Sequence, residues 1–167
     1  MGKLNNFSPQ TPSVSCLLDS DVIINWLTKE KGSIPYKTLW EAPHKIIKLI
    51  EEGKLKGFST LINLLEIRFV LRRKKNFSED KIKEDLAKIL KLLEIIVPDE
   101  VNLLKANNLQ DKLPLDPFDA ILLAAASAEE NIVLVTRDKA LISLASKLLE
   151  ASTPEKFIEN TFPCKSF

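Results

Sequence analysis

The chain has 167 residues, 45% apolar and 28% charged, which suits one globular domain with a full-sized core. Lys+Arg 24 against Asp+Glu 23 leave a net charge of +1, so no global field announces a nucleic-acid partner, and any such partner must meet a local patch. No apolar run approaches the roughly 18 residues of a membrane span, and the first residues do not read as a signal peptide.

Residues 1–13 are polar and carry two prolines, which predicts a loose arm. Residues 14–162 show no linker and read as a single domain, with 163–167 as a short tail. The apolar run over 14–19 ends at Asp19 and predicts a buried parallel strand, followed by a helix over 21–29. Gly32 to Pro35 breaks that pattern. A second helix is expected over 43–52, with Pro43 tolerated in its first turn and Gly53 ending it. Residues 54–59 read as a second strand. In the helix over 60–75, Leu61, Ile62, Leu64, Leu65, Phe69 and Val70 occupy most of the circumference. Ser78 caps a helix over 79–92. A third strand at 94–97 precedes Pro98, and a helix over 99–108 follows. Asp116-Pro-Phe-Asp119 opens a helix running to residue 130. Residues 132–136 form the fourth strand, 138–149 a helix, and Thr153 starts a last short one. Strands alternating with longer helices, without repeats, mean an α/β protein whose small parallel sheet is covered on both faces.

The acids at the ends of these elements carry the chemistry. Asp19 falls at a strand's carboxyl end, where open α/β sheets place their ligands. A bare carboxylate there is costly to desolvate unless a cation or hydrogen-bond donors meet it. The plainer role is that of a helix N-cap. Asp21 fits the first helical turn, where the dipole favours an acid. Glu66 lies among Leu64, Leu65, Ile67 and Phe69, which leaves little wet surface for it; pairing with Arg68, Arg73 or Lys75 is the alternative. Asp116 suits an N-cap, and Asp119 falls in the first turn of the same helix, an end that could also aim it at a cation. Asp138 repeats the strand-then-acid arrangement of Asp19. If those two strands are neighbours, both carboxylates emerge at one edge.

Two carboxylates about 4 Å apart repel by roughly 4 kcal/mol at an effective dielectric near 20. Three or four together hold only by sharing protons or by binding a divalent cation. An oxygen-only set selects Mg²⁺ or Mn²⁺ over zinc, and the sole histidine, His44, reads as a surface residue. With that single histidine read as a surface residue, Ser-His-Asp or Cys-His catalysis is not expected. Arg68, Arg72, Arg73, Lys74 and Lys75 end the helix that carries Glu66. They could hold phosphates, or simply suit the helix C-terminus. Cys16 and Cys164 have no metal-ligand spacing and read as reduced thiols of a cytoplasmic protein, with a bridge between them as the alternative.

Four stretches together resemble the signatures of PIN-domain nucleases, most of all the VapC-type toxins. They are Leu17-Leu-Asp-Ser-Asp-Val-Ile-Ile, Ser59-Thr-Leu-Ile-Asn-Leu-Leu-Glu66, Asp119-Ala-Ile-Leu-Leu-Ala-Ala-Ala and Leu134-Val-Thr-Arg-Asp138, in that family's order. The resemblance covers residues 14–157. It implies a three-layer α/β/α fold with a small central, mostly parallel sheet, and an endoribonuclease that uses Mg²⁺ or Mn²⁺ to hydrolyse RNA. Asp19, Glu66, Asp119 and Asp138 match the family's acidic quartet, and Thr136 its Ser or Thr two places before the last acid. Asp21 stands where the family more often has Asn, adding an acid near the metal as Asp116 also would; Asn25 stands where many members have Asp. The resemblance further implies a homodimer silenced by a small antitoxin. A housekeeping RNA-processing nuclease and a non-catalytic RNA-binding module are alternatives on the same fold. A haloacid-dehalogenase-like phosphatase would explain Asp19-x-Asp21, but Ile23 replaces the small residue such an enzyme wants.

Overall fold

The computed structural model describes residues 14–32 and 38–163. Along the chain run β1 (Ser15–Leu18), α1 (Ser20–Thr28), α2 (Glu41–Glu51), β2 (Lys56–Thr60) and α3 (Leu61–Arg73). They are followed by α4 (Glu79–Leu92), β3 (Glu94–Ile96), α5 (Glu100–Gln110) and α6 (Pro117–Ala126). The last elements are β4 (Ile132–Val135), α7 (Lys139–Ala145), β5 (Glu150–Ser152) and α8 (Pro154–Thr161). The strands form one parallel sheet in the order β3-β2-β1-β4-β5.

The two central strands are unbroken apolar runs because both of their faces are covered. Cys16 and Leu18 of β1, with Val133 and Val135 of β4, pack under α1 to α4 and Phe157 of α8. Leu17, Ile132 and Leu134 point the other way, into α5, α6 and α7. The three-layer α/β/α reading is therefore the observed one. Burial pushes the Cys16 thiol up to about 12, so it behaves as a core residue. Among the described residues, no helix is long and apolar enough to cross a membrane.

Topology then places the site. From β1 the chain builds outward through β2 to β3, and crosses back to add β4 and β5 on the other side. The strand order thus reverses between β1 and β4, the crevice where such sheets bind ligands. Leu18 is in register with Val135, so Asp19 and Thr136 stand side by side just past the two strand ends.

Three expectations need correction. β5 was not foreseen: the helix expected over 138–149 stops at Ala145, and Glu150–Ser152 pairs with β4. A three-residue edge strand with a single apolar side chain, Ala151, has no hydrophobic periodicity of its own; its partner supplies its conformation. The helix opened at Asp116 ends at Ala126 instead of 130, and Asn131 takes a positive φ of 56° to turn the chain into β4. The apolar circumference of α3 is only partly buried, since Leu61, Leu65 and Phe69 face solvent. The arm over 1–13, residues 33–35 of the break, and Cys164 lie outside the described residues.

Candidate active site

Asp19 is the N-cap of α1, its Oδ1 accepting the Ser20 N–H at 2.6 Å. The same oxygen takes the Asn63 Nδ2 amide at 3.2 Å, and Oδ2 takes the Thr136 hydroxyl at 2.8 Å. One carboxylate is therefore held from α1, α3 and the end of β4. Its protonation equilibrium is pulled in both directions. Burial raises the pKa of Asp19 above the usual carboxylate range, and the negative charge of Glu66 raises it further. The hydrogen bonds from Thr136 and Ser20 oppose this.

Glu66 reaches the site through Ser20, whose hydroxyl donates to Glu66 Oε2 at 2.6 Å. Glu66 lies on the exposed face of α3. The expectation of little wet surface around Glu66 is thus corrected, and its link to Asp19 runs through Ser20. Asn63, one turn earlier on α3, is buried; it donates to Leu18 O as well as Asp19 and accepts the Thr60 hydroxyl at 2.6 Å. Neither Ser20 nor Asn63 was singled out from the sequence. The signal for Asn63 is a polar residue three places before Glu66 on an otherwise apolar helix, the spacing that puts two side chains on one face.

Asp116 caps α6, accepting the N–H groups of Phe118 and Asp119 on Oδ1 at 2.8 and 2.9 Å. Asp119, half-buried in that first turn, has its carboxyl pushed up to about 7. Burial is the main cause, followed by the charges of Asp116, Asp19, Asp138 and Glu66. Acids distant in sequence therefore lie near enough to act on one another's charge. Asp138 is exposed and caps α7 through Oδ1, while its own N–H donates to Thr136 Oγ1 at 3.1 Å. Thr136 thus joins Asp19 to Asp138. Asp21 accepts the Arg137 N–H on Oδ2 at 2.9 Å, and its Oδ1 is buried without a partner. Burial and the Asp19 charge push Asp21 up to about 7, against the opposing hydrogen bond from Arg137.

Among the described residues, no three of these acids stand together as a group that could hold a metal ion. The basic end of α3 is less available than its sequence suggests. Arg68 and Arg72 pair with Glu79 at the start of α4, and Lys75 pairs with Glu30. Among the described residues, Arg73 and Lys74 make no ion pair. Lys74 and Glu66 line an open groove of about 480 Å³ whose walls are Ile62, Leu65, Phe69, Val70 and Phe118.

A family model described as PIN domain matches residues 16–147. No curated protein sequence matches the chain. Among solved structures, the fold is similar to VapBC2 from Rickettsia felis bound to a DNA fragment from their promoter, with a TM-score of 0.62 and 17% identity over 84% of this chain and 98% of that one. It is similar to PAE2754 from Pyrobaculum aerophilum, with a TM-score of 0.60 and 17% identity over 88% of this chain and 96% of that one. A toxin-antitoxin complex from Klebsiella pneumoniae gives a TM-score of 0.59 at 16% identity, over 83% and 97% of the two chains. At such identities these structures speak for the fold alone. The family match runs from within β1 to beyond α7 and takes in every acid of the edge; the chain belongs to the PIN-domain family.

Proposed function

We propose that the chain is a Mg²⁺- or Mn²⁺-dependent endoribonuclease, the toxin of a VapBC-like toxin–antitoxin pair. The observation that carries the reading is the linkage of acids from distant segments: Thr136 donates to Asp19 and accepts the Asp138 N–H, and Ser20 joins Asp19 to Glu66, while the charges of Asp116, Asp19, Asp138 and Glu66 help to raise the pKa of Asp119. The donor set fits a hard divalent cation: it is all oxygen, and it is strained by mutual repulsion that such an ion would relieve. Asp19, Glu66 and Asp119 would hold the ion, with Asp138 as a ligand or outer partner and Asp21 and Asp116 adding charge nearby. When bound, the ion supplies Lewis acidity and a water of lowered pKa.

The chain's own residues prepare that reaction. Thr136 fixes Asp19 Oδ2, Ser20 fixes Glu66 Oε2, and Asn63 ties Asp19 to α3. Lys74, which lines the groove with Glu66, and Arg73 next to it in sequence would meet RNA phosphates. The similar VapBC complexes support a small antitoxin as partner, and the exposed Leu65, Phe69 and Phe118 offer it, or a second copy of this chain, an apolar face.

A second reading has one observation in its favour. Asp19, Asp116 and Asp138 are all working N-caps, as they would be in a non-catalytic RNA-binding module. Asp119 is not a cap, and it separates the two readings. The nuclease reading expects RNA cleavage that requires Mg²⁺ or Mn²⁺, is abolished by chelator, and is lost in Asp119→Asn. Full activity in that variant, or calorimetry showing no Mn²⁺ binding to the unaltered protein, sinks it.

A further inference from the structure

Arg137 sits between Thr136 and Asp138, yet its side chain turns away from the acids. Nε donates to Asn25 Oδ1 at 2.6 Å, and Nη2 donates to the Leu39 carbonyl at 2.6 Å. Nη1 and Nη2 grip the two oxygens of Glu155 at 3.1 and 2.8 Å. The side chain is 18% exposed, and its own N–H holds Asp21. One residue therefore fastens the turn bearing Thr136 and Asp138 to α1, to the segment before α2, and to α8. The backbone adds one further tie there, from Thr136 N–H to Ser152 O in β5. Both anchors beyond α7, Glu155 and Ser152, lie outside the segment that matches the family model.

We infer that Arg137 is a positioning residue for the divalent ion. It holds the Thr136–Asp138 turn, and with it Asp19 and Asp21, in the arrangement that binds the cation, and it does so by anchoring that turn to α8 through Glu155. This rests on the metal-dependent reading given above. Arg137 touches neither the ion nor RNA, so its loss weakens metal binding and turnover and leaves RNA affinity unchanged. Groups that orient metal ligands from behind typically carry about 10–100-fold in metal affinity or activity. Lysine keeps the charge but not the planar fork, so it cannot replace the grip on Glu155, Asn25 and Leu39 together.

The test compares the unaltered protein with Arg137→Lys and Glu155→Gln, reading Mn²⁺ affinity by calorimetry, kcat and KM on an RNA oligonucleotide, and the melting temperature. Mn²⁺ affinity and kcat should fall about 10–100-fold in Arg137→Lys, and less in Glu155→Gln, with KM unchanged in both. Glu155 is 41% exposed, so its substitution leaves a folded protein should Arg137→Lys unfold. A lowered melting temperature with unchanged Mn²⁺ affinity in either folded variant means a merely structural brace and overturns the inference. A rise in KM without loss of metal affinity overturns it as well. If the unaltered protein binds no Mn²⁺, the metal-dependent reading fails and this inference with it; if it binds Mn²⁺ but cleaves no RNA, the affinity comparison still decides.

Discussion

The corners after β1 and β4 are built to one pattern, an apolar strand, an acid that caps, and a helix, yet they make different environments. Asp19 is enclosed: three elements hydrogen-bond its two oxygens, and burial with the Glu66 charge raises its pKa. Asp138 is exposed and spends one oxygen on two N–H groups of its own helix. The difference comes from what lies above each corner. α3 brings Asn63 and Glu66 to the first, whereas among the described residues the side chain of Asp138 accepts only from its own helix. Similar local sequence thus gives one enclosed acid whose charge burial and Glu66 disfavour, and another that stands exposed.

Substituting Asn at each corner breaks the comparison most sharply, because Asn caps a helix about as well as Asp and removes only the charge. Asp19→Asn should lower RNA cleavage on the order of 1,000-fold, the upper range for removing one electrostatic stabiliser. It should also raise the melting temperature of the metal-free protein, since a carboxylate that burial and Glu66 both destabilise is gone. Asp138→Asn should cost about 10–100-fold, as an outer partner does, and leave the melting temperature unchanged. Equal losses at the two corners, with equal melting temperatures, would mean that enclosure by α3 has no bearing on the chemistry.

The proton offers a second, smaller probe of the enclosed side. Asp21 and Asp119 are raised from the ordinary 3.8 to about 7 in the folded metal-free protein. Between those values the folded chain binds more protons than the unfolded one, so stability from these groups is present below about pH 4 and is lost as pH rises through 7. The metal-free protein should therefore lose melting temperature between pH 5 and 8 relative to Asp119→Asn. A divalent ion must displace these protons, so Mn²⁺ affinity should rise about tenfold per pH unit for each proton released and level off above 7. Affinity flat between pH 5 and 7 would show that the acids are already ionised and that burial does not govern them.

Much of this geometry is legible in the sequence because it follows from backbone rules. Apolar runs ending at Asp19 and Asp138 mark the two central strands, and Ser78, Asp116-Pro117 and Thr153-Pro154 mark helix starts that the structure keeps. What could not be read depends on tertiary partners. β5 exists because β4 offers it an edge. The exposure of Leu65 and Phe69 reflects where α3 lies, which helical periodicity alone does not tell. Arg137 reads in sequence as one more charged residue, and only the fold brings Asn25, Leu39 and Glu155 around it. The same holds for the basic end of α3, where five cations in sequence become three that are paired and two that, among the described residues, make no ion pair.

That division yields the smallest expected effect and extends the comparison along the exposed rim. If the enclosed corner serves the ion and the rim serves RNA, an unpaired rim cation should change RNA binding without touching metal affinity. Lys74 lines the groove with Glu66, and among the described residues no acid neutralises it. Lys74→Ala should weaken binding of a single-stranded RNA a few-fold and reduce the slope of log affinity against log salt by about 0.7, the value for one single-strand phosphate contact. Arg72→Ala should change that slope less, because its guanidinium already satisfies Glu79, and any loss would come with a change in helix stability. Mn²⁺ affinity should stay the same in both. A salt slope that moves equally in the two variants would mean that the ion pair opens when RNA arrives, and a shift in Mn²⁺ affinity with Lys74→Ala would place this lysine at the ion instead of the RNA.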